Sequence, residues 1–155
     1  MHKKQHYHFE KKGRLPYQVL VFPYLKEKGS YLYAIFKRRD LKFWQGISGG
    51  GEGNEIPLQA VKREVFEEAK IDSEFMQLDS MTTIPVENIG DYRWEGVFVV
   101  PEYAFGVKAK SRDLKISGEH LEYKWLSFKE AHKLLKYDSN KTALWELNQR
   151  LSSKN

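Results

Sequence analysis

Glu64, Glu67 and Glu68 stand next to Arg63 in the run Arg63-Glu64-Val65-Phe66-Glu67-Glu68. On a helix at about 100° per residue, Leu58, Val61, Val65 and Ala69 fall within roughly an 80° arc, and the three glutamates fill an adjoining arc of about 100°. One side suits a core and the next is a block of carboxylates. Like charges three and four residues apart weaken an isolated helix by a few tenths of a kcal/mol per pair, and a divalent cation removes that repulsion. Oxygen-only ligands that leave coordination positions open suit Mg²⁺ or Mn²⁺, whereas Zn²⁺ prefers His and Cys. For the six residues alone, a solvated acidic face is the alternative reading.

The preceding segment favours the metal. Trp44-Gln45-Gly46-Ile47-Ser48-Gly49-Gly50-Gly51-Glu52-Gly53-Asn54-Glu55 is rich in glycine, is expected to form a loop, and leads into the helix through Pro57, whose fixed φ and missing N–H suit a first turn. Such a segment can bring backbone close to a metal or phosphate. Together these residues resemble the Nudix box, in which a glycine is followed after five residues by Glu and after seven more by Arg-Glu-apolar-x-Glu-Glu-x-Gly-apolar. Position by position, the box glycine is Gly49, the first glutamate Glu55, and the core Arg63, Glu64, Val65, Glu67 and Glu68, ending at Ile71. Lys70 stands where the family has a glycine, so it must accept a left-handed backbone at about 1 kcal/mol or the helix must end differently. Ser48 and Asn54 also replace glycines common in the family.

The resemblance implies an α/β fold, the α/β/α sandwich with a mixed sheet, and a hydrolase that splits phosphoric anhydrides with water as nucleophile. It implies Glu64, Glu67 and Glu68 as metal ligands, Arg63 as their orienting partner, Glu55 as an auxiliary ligand and the Ser48 carbonyl as a further one. Family members often supply another carboxylate, as ligand or general base, from a loop before a late strand; Glu119, after Lys115-Ile116-Ser117-Gly118, is the candidate, with a solvated turn residue as the alternative. Phe36-Lys37-Arg38-Arg39-Asp40 before Phe43-Trp44-Gln45, and Glu119 to Leu126 with Ser139-Asn140-Lys141 after it, are similar to the subgroup containing dATP and dihydroneopterin triphosphate pyrophosphatases. The expected partner is therefore a small nucleotide or pterin triphosphate, although residues 86–114 match nothing specific. Arg38 or Arg39 is expected to clamp phosphates with its guanidinium fork, and the sequence does not choose between them. Trp44, Tyr92 and Trp94 offer stacking platforms, with core packing the commoner use of such aromatics.

The chain has 155 residues, about one domain, and residues 1–14 read as a basic, flexible segment ahead of a single domain over 15–155. The absence of cysteine excludes disulfides, thiolate metal sites and a cysteine nucleophile. Neither an apolar leader nor a run near ~20 apolar residues is found, so no membrane partner is expected and cytoplasm is the expected location. The net charge of +5 draws anions, but its basic clusters lack the aromatic interleaving of a single-strand-binding track, and nucleic acid is not expected. His2, His6 and His8 lie in the charged start and read as solvated. A Nudix-fold binding or regulatory module without catalysis is the alternative to an enzyme, opposed by the retained glutamates. A basic interaction domain ranks below both.

The elements that must position these residues follow from periodicity. Strands are predicted at 17–25 and 31–37 around a Lys26-to-Ser30 turn, and further strands at 75–84, 94–100 and 121–126. Helices are predicted at 57–69, at 127–135 with Ser127 and Glu130 at capping-box spacing, and at 139–151. The last, with Ala143, Leu144, Leu147 and Leu151 in phase, packs on the core or helps a homodimer form; the chain is expected to be a monomer or a homodimer.

Overall fold

A computed structural model describes residues 13–118 and 120–153. The histidines of the basic start, and Glu119, lie outside the described residues.

The longest strand, β1 (Arg14–Glu27), organises the sheet because its alternate side chains go to two different cores. Val19 and Val21 pack with Ala34, Phe36, Ile47 and Phe105 on one face, while Leu20, Phe22 and Tyr24 join Tyr33, Ile35 and Ala104 on the other. A two-residue turn, Lys28-Gly29, has positive φ at both positions, 50° and 82°, as the twist of a tight hairpin demands. It returns the chain as β2 (Ser30–Arg38), with Glu27 opposite Ser30. The short β3 (Trp44–Gln45) extends β2, and β4 (Ile47–Glu52) pairs antiparallel with the first half of β1. After α1 (Pro57–Ala69) come β5 (Phe75–Pro85), β6 (Val99–Lys108), β7 (His120–Leu126), α2 (Phe128–Leu134) and α3 (Asp138–Ser152).

The sheet runs β3-β2-β1-β6-β5, with β4 on β1 and β7 on β2. Only the β1–β6 pairing is parallel, so the sheet is mixed. α1 covers the Val19 face through Ala60, Val61, Val65 and Ala69, and α2 and α3 cover the Leu20 face through Ala131, Ala143, Leu144, Leu147 and Leu151. This is the α/β/α sandwich expected from the sequence. Ser127 caps α2 by accepting the Glu130 N–H at 3.3 Å. α3 is tied down by polar contacts as well: Tyr33 Oη donates to Asn148 Oδ1 at 2.6 Å, and Glu146 accepts the Asp79 and Ser80 N–H groups, both at 2.8 Å, where β5 slips register against β6. Although burial opposes its ionisation, those donors and Arg150 hold Glu146 down at about 2. Among the described residues no helix is long and apolar enough to cross a membrane.

Two expected elements are corrected. The glycine-rich segment is a strand over Ile47–Glu52, not a loop, because neighbouring side chains need the space its glycines leave: a Cβ on Gly49, Gly50 or Gly51 would overlap Glu64, Arg14 or Tyr17. The strand expected at 94–100 begins instead at Val99 and runs to Lys108. Its aromatic start was misleading; Gly96 has φ +76° and the Val97 N–H closes a turn on the Trp94 carbonyl at 3.1 Å.

Candidate active site

α1 lies where the acidic run needs it. Pro57 opens the helix, the Ile56 N–H donates to Gln59 Oε1 at 3.0 Å, and buried Val61 and Val65 fix which way the adjoining glutamates point. The helix ends on Lys70 in a left-handed conformation, φ 57° and ψ 33°, its N–H bonded to the Phe66 carbonyl at 3.0 Å. Lysine therefore takes the backbone state glycine has in the family, and the helix exit is preserved.

Arg63 is the hub. Its Nε donates to Glu55 Oε2 at 2.8 Å, one terminal nitrogen donates to Glu55 Oε1 at 3.0 Å and the Gly50 carbonyl at 2.8 Å, and the other to Glu64 and Glu67, both at 2.9 Å. Only a planar fork with five N–H groups serves so many acceptors. Both Glu55 oxygens are engaged, Oε1 also accepting the Glu52 N–H at 2.8 Å, so here Glu55 holds Arg63. The Glu55 bond raises the Arg63 pKa further, and in turn Arg63 lowers that of Glu55.

Glu64 and Glu68 are largely withdrawn from solvent, whereas the Glu67 side chain is 57 % exposed. Burial pushes Glu64 up to about 7 despite the Arg63 bond, with Glu67 and Glu68 adding repulsion. Glu68 is bound to the segment before β7: Ser117 Oγ donates to its carboxylate at 2.5 Å and the Ser117 N–H to its carbonyl at 2.9 Å. Among the described residues, no three acidic or histidine side chains converge on a ready cation position. The donor chemistry nevertheless fits a hard cation: the half-buried Glu64 carboxylate under the bare Gly49 and the buried Glu68 carboxylate one turn on are both oxygen donors.

On the other side of β4 lies a cavity of about 620 Å³, bordered by Ser48 and Gly49 and reaching across β1 to β5, β6 and the start of α3. Arg38 lines it, paired with Asp40 at 3.0 Å, whereas the exposed Arg39 donates to the Gly118 carbonyl at 3.1 Å. The two arginines thus lie in different surroundings. Neither tryptophan named as a platform lines the cavity. Trp44 packs against the α2–α3 core with Lys124 over its ring at 5.0 Å, and Trp94 gives its indole N–H to the Arg14 carbonyl at 3.0 Å. Trp94 and Tyr92 stack on each other and flank the Arg14 guanidinium, which also donates to Gln18.

Three buried polar residues lie on this cavity: Gln45 and Asn140, which belong to segments that carry the subgroup resemblance but had no role of their own, and Glu102, which was not singled out in the sequence. Asn140 accepts the Gly46 N–H at 2.9 Å and so links α3 to the box segment. Glu102 carried a usable signal, a lone acid inside the apolar run Val97-Phe98-Val99-Val100-Pro101-Glu102-Tyr103-Ala104-Phe105.

The comparisons agree with this architecture. The NUDIX domain model matches residues 14–146, and the chain belongs to the Nudix hydrolase family. It is 33% identical over 141 residues to the dihydroneopterin triphosphate diphosphatase of Escherichia coli, covering 87% of this chain and 93% of that one. A NUDIX hydrolase structure from Listeria monocytogenes superposes with a TM-score of 0.82 at 39% identity, covering 89% of this chain and 95% of the other. The structure of the Escherichia coli dihydroneopterin triphosphate pyrophosphohydrolase superposes at 0.75 with 28% identity, covering 90% and 99%. The chain is thus an enzyme of the pyrophosphohydrolase type.

Proposed function

We propose that this enzyme hydrolyses a nucleoside or pterin triphosphate to the monophosphate and pyrophosphate, with Mg²⁺ or Mn²⁺ as cofactor. The observation that carries the reading is the half-buried Glu64 carboxylate packed under Gly49, on the strand whose Ser48 and Gly49 border a cavity large enough for a heterocycle. The name of the Escherichia coli relative, which shares most of the chain's length, supports the triphosphate.

The half-buried Glu64 and the buried Glu68 are the oxygen donors that would hold the cation, with Glu67 at the solvent side and the Ser48 carbonyl as a further donor. When bound, the metal neutralises phosphate charge and activates water. Arg63 fixes the Glu64 and Glu67 carboxylates in place and is itself fixed by Glu55, so it is a positioning residue. Arg38 stands at the cavity, placed to pair with phosphate oxygens. Glu119, two residues beyond the Ser117 that binds Glu68, is the candidate for a further carboxylate.

The test is kcat/KM across dNTPs, NTPs, dihydroneopterin triphosphate, ADP-ribose and diadenosine polyphosphates, with pyrophosphate release as the readout. Activity is expected with Mg²⁺ or Mn²⁺, is abolished by EDTA, and survives removal of Zn²⁺. Full turnover in metal-free buffer overturns the metal assignment. A preference above tenfold for ADP-ribose or a diadenosine polyphosphate overturns the substrate class.

A further inference from the structure

Glu102 is 7% exposed, lines the cavity, and among the described residues makes no hydrogen bond or ion pair. Burial alone pushes its carboxyl up to about 7. A buried carboxyl group without a partner is costly to a fold and needs another reason to be there. Two neighbours on the same cavity are in a similar state. The Gln45 side chain, 8% exposed, has no described hydrogen bond, and Asn140, 4% exposed, uses its oxygen on the Gly46 N–H and leaves its amino group unused. One strong acceptor and two amides thus face a space that none of the described residues fills.

The strand register fixes how far Glu102 lies from the box strand. Gln18 on β1 is opposite Gly50 on β4 and opposite Glu102 on β6, so Glu102 is two strand spacings, about 10 Å, from the box strand. A triphosphate whose phosphates reach the cavity border at Ser48 and Gly49 can extend over β1 and set its ring against β6.

We propose that Glu102 is a specificity-determining residue that accepts two adjacent N–H groups from the 2-amino-4-oxopyrimidine edge shared by guanine and pterin. This rests on the triphosphate reading above and narrows it to one ring chemistry. A carboxylate has two acceptor oxygens and no donor, and that ring edge presents a ring N–H beside an exocyclic amino group, so both oxygens are satisfied. Adenine and cytosine present a donor beside an acceptor, which leaves a lone pair facing a carboxylate oxygen. The Gln45 and Asn140 amino groups supply donors for the ring's carbonyl and ring-nitrogen acceptors.

The experiment compares wild type, Glu102→Gln and Glu102→Ala for kcat/KM on dGTP and dihydroneopterin triphosphate against dATP and dCTP. Binding of GMP and AMP is measured in parallel by calorimetry. Wild type is expected to favour the guanine and pterin substrates, and Glu102→Gln to lose about tenfold or more of that preference, in the range a bidentate base contact supplies. Because glutamine offers one donor and one acceptor, it should also shift the ratio toward adenine, which a merely structural residue would not do. An unchanged dGTP/dATP ratio and an unchanged GMP/AMP ratio in both variants overturn the inference, as does an equal loss on every substrate. If wild type hydrolyses no triphosphate, the hydrolytic reading fails, and the GMP/AMP binding ratios still decide the role of Glu102.

Discussion

Replacing Glu102 by Gln should stabilise the metal-free, ligand-free protein at alkaline pH and leave it almost unchanged at acidic pH. The folded carboxyl ionises near 7 and the unfolded one near 4.5, with burial the cause. Between those values the folded state binds more protons than the unfolded one, so the wild type loses stability as pH rises through this window. Below pH 4.5 both states are protonated and the residue costs no ionisation energy; above pH 7 the full penalty is present. At about 1.4 kcal/mol per tenfold change the penalty reaches about 3 kcal/mol, a ceiling because water enters the open cavity. Glutamine keeps the volume and drops the charge, so the variant should melt about 5–10 °C higher than wild type at pH 8. Thermal unfolding of both proteins between pH 4.5 and 8 is the assay. The difference between the two curves isolates this residue, since Glu64, which also ionises near 7, is present in both. A difference in melting temperature that stays constant over the range would show that Glu102 is solvated or paired, and would refute the reasoning.

Three further outcomes are expected. Glu68→Gln should lower kcat by orders of magnitude while the melting temperature stays level or rises, because the amide carbonyl can still accept the Ser117 hydroxyl while the charge beside Glu64 is gone; near-native kcat at saturating Mg²⁺ would place the metal elsewhere. Arg63→Lys should cost about 2 kcal/mol in denaturant unfolding and at least tenfold in kcat, since one ammonium cannot serve Glu55, Glu64, Glu67 and the Gly50 carbonyl together; full activity in this variant would reduce the hub to a passive ion pair. Lys70→Gly should raise stability by about 0.5 kcal/mol, the left-handed backbone at φ 57° gaining about 1 and the lost Lys70–Phe66 cation–π contact returning part of it, as read from the urea midpoint.

What could be read in the sequence was whatever depends on spacing within one element. The α1 bounds and the Arg63–Glu67 pairing follow from helix geometry, and the structure has both, whereas the sequence leaves open how the helix ends at Lys70 and the structure shows the left-handed stop. The Ser127 cap is local in the same way. What depended on partners far along the chain could not be read. Nothing near Gly49, Gly50 and Gly51 says that Glu64, Arg14 and Tyr17 will lie over them, so a strand was taken for a loop. Trp94 was sought as a platform because aromatic composition is visible in sequence, whereas the carbonyl that takes its N–H belongs to Arg14, eighty positions away in the chain. Glu102 stands out in sequence as an acid within an apolar run, but that it faces a cavity with residues of β5 and α3 depends on elements distant from it in the chain.

These long-range facts change how the box itself works. β4 separates the glutamate helix from the cavity: Gly49 faces Glu64 on one side, while Ser48, registered with Leu20, belongs to the other. A side chain at Gly49 would displace the Glu64 carboxylate, so the glycine is needed there for the close approach of helix to strand, with no unusual φ involved. The same strand is held from three directions, by Arg63 on the Gly50 carbonyl, Asn140 on the Gly46 N–H and Val19 to Val21 along its edge. The α1 glutamates and the polar residues of the cavity thus lie on opposite faces of one strand. A shift of α3 that moved Asn140 would disturb the glycine strand, and through it the position of Glu64, even though α3 touches none of the box glutamates. Substitutions at Asn140 are accordingly expected to change both KM and kcat.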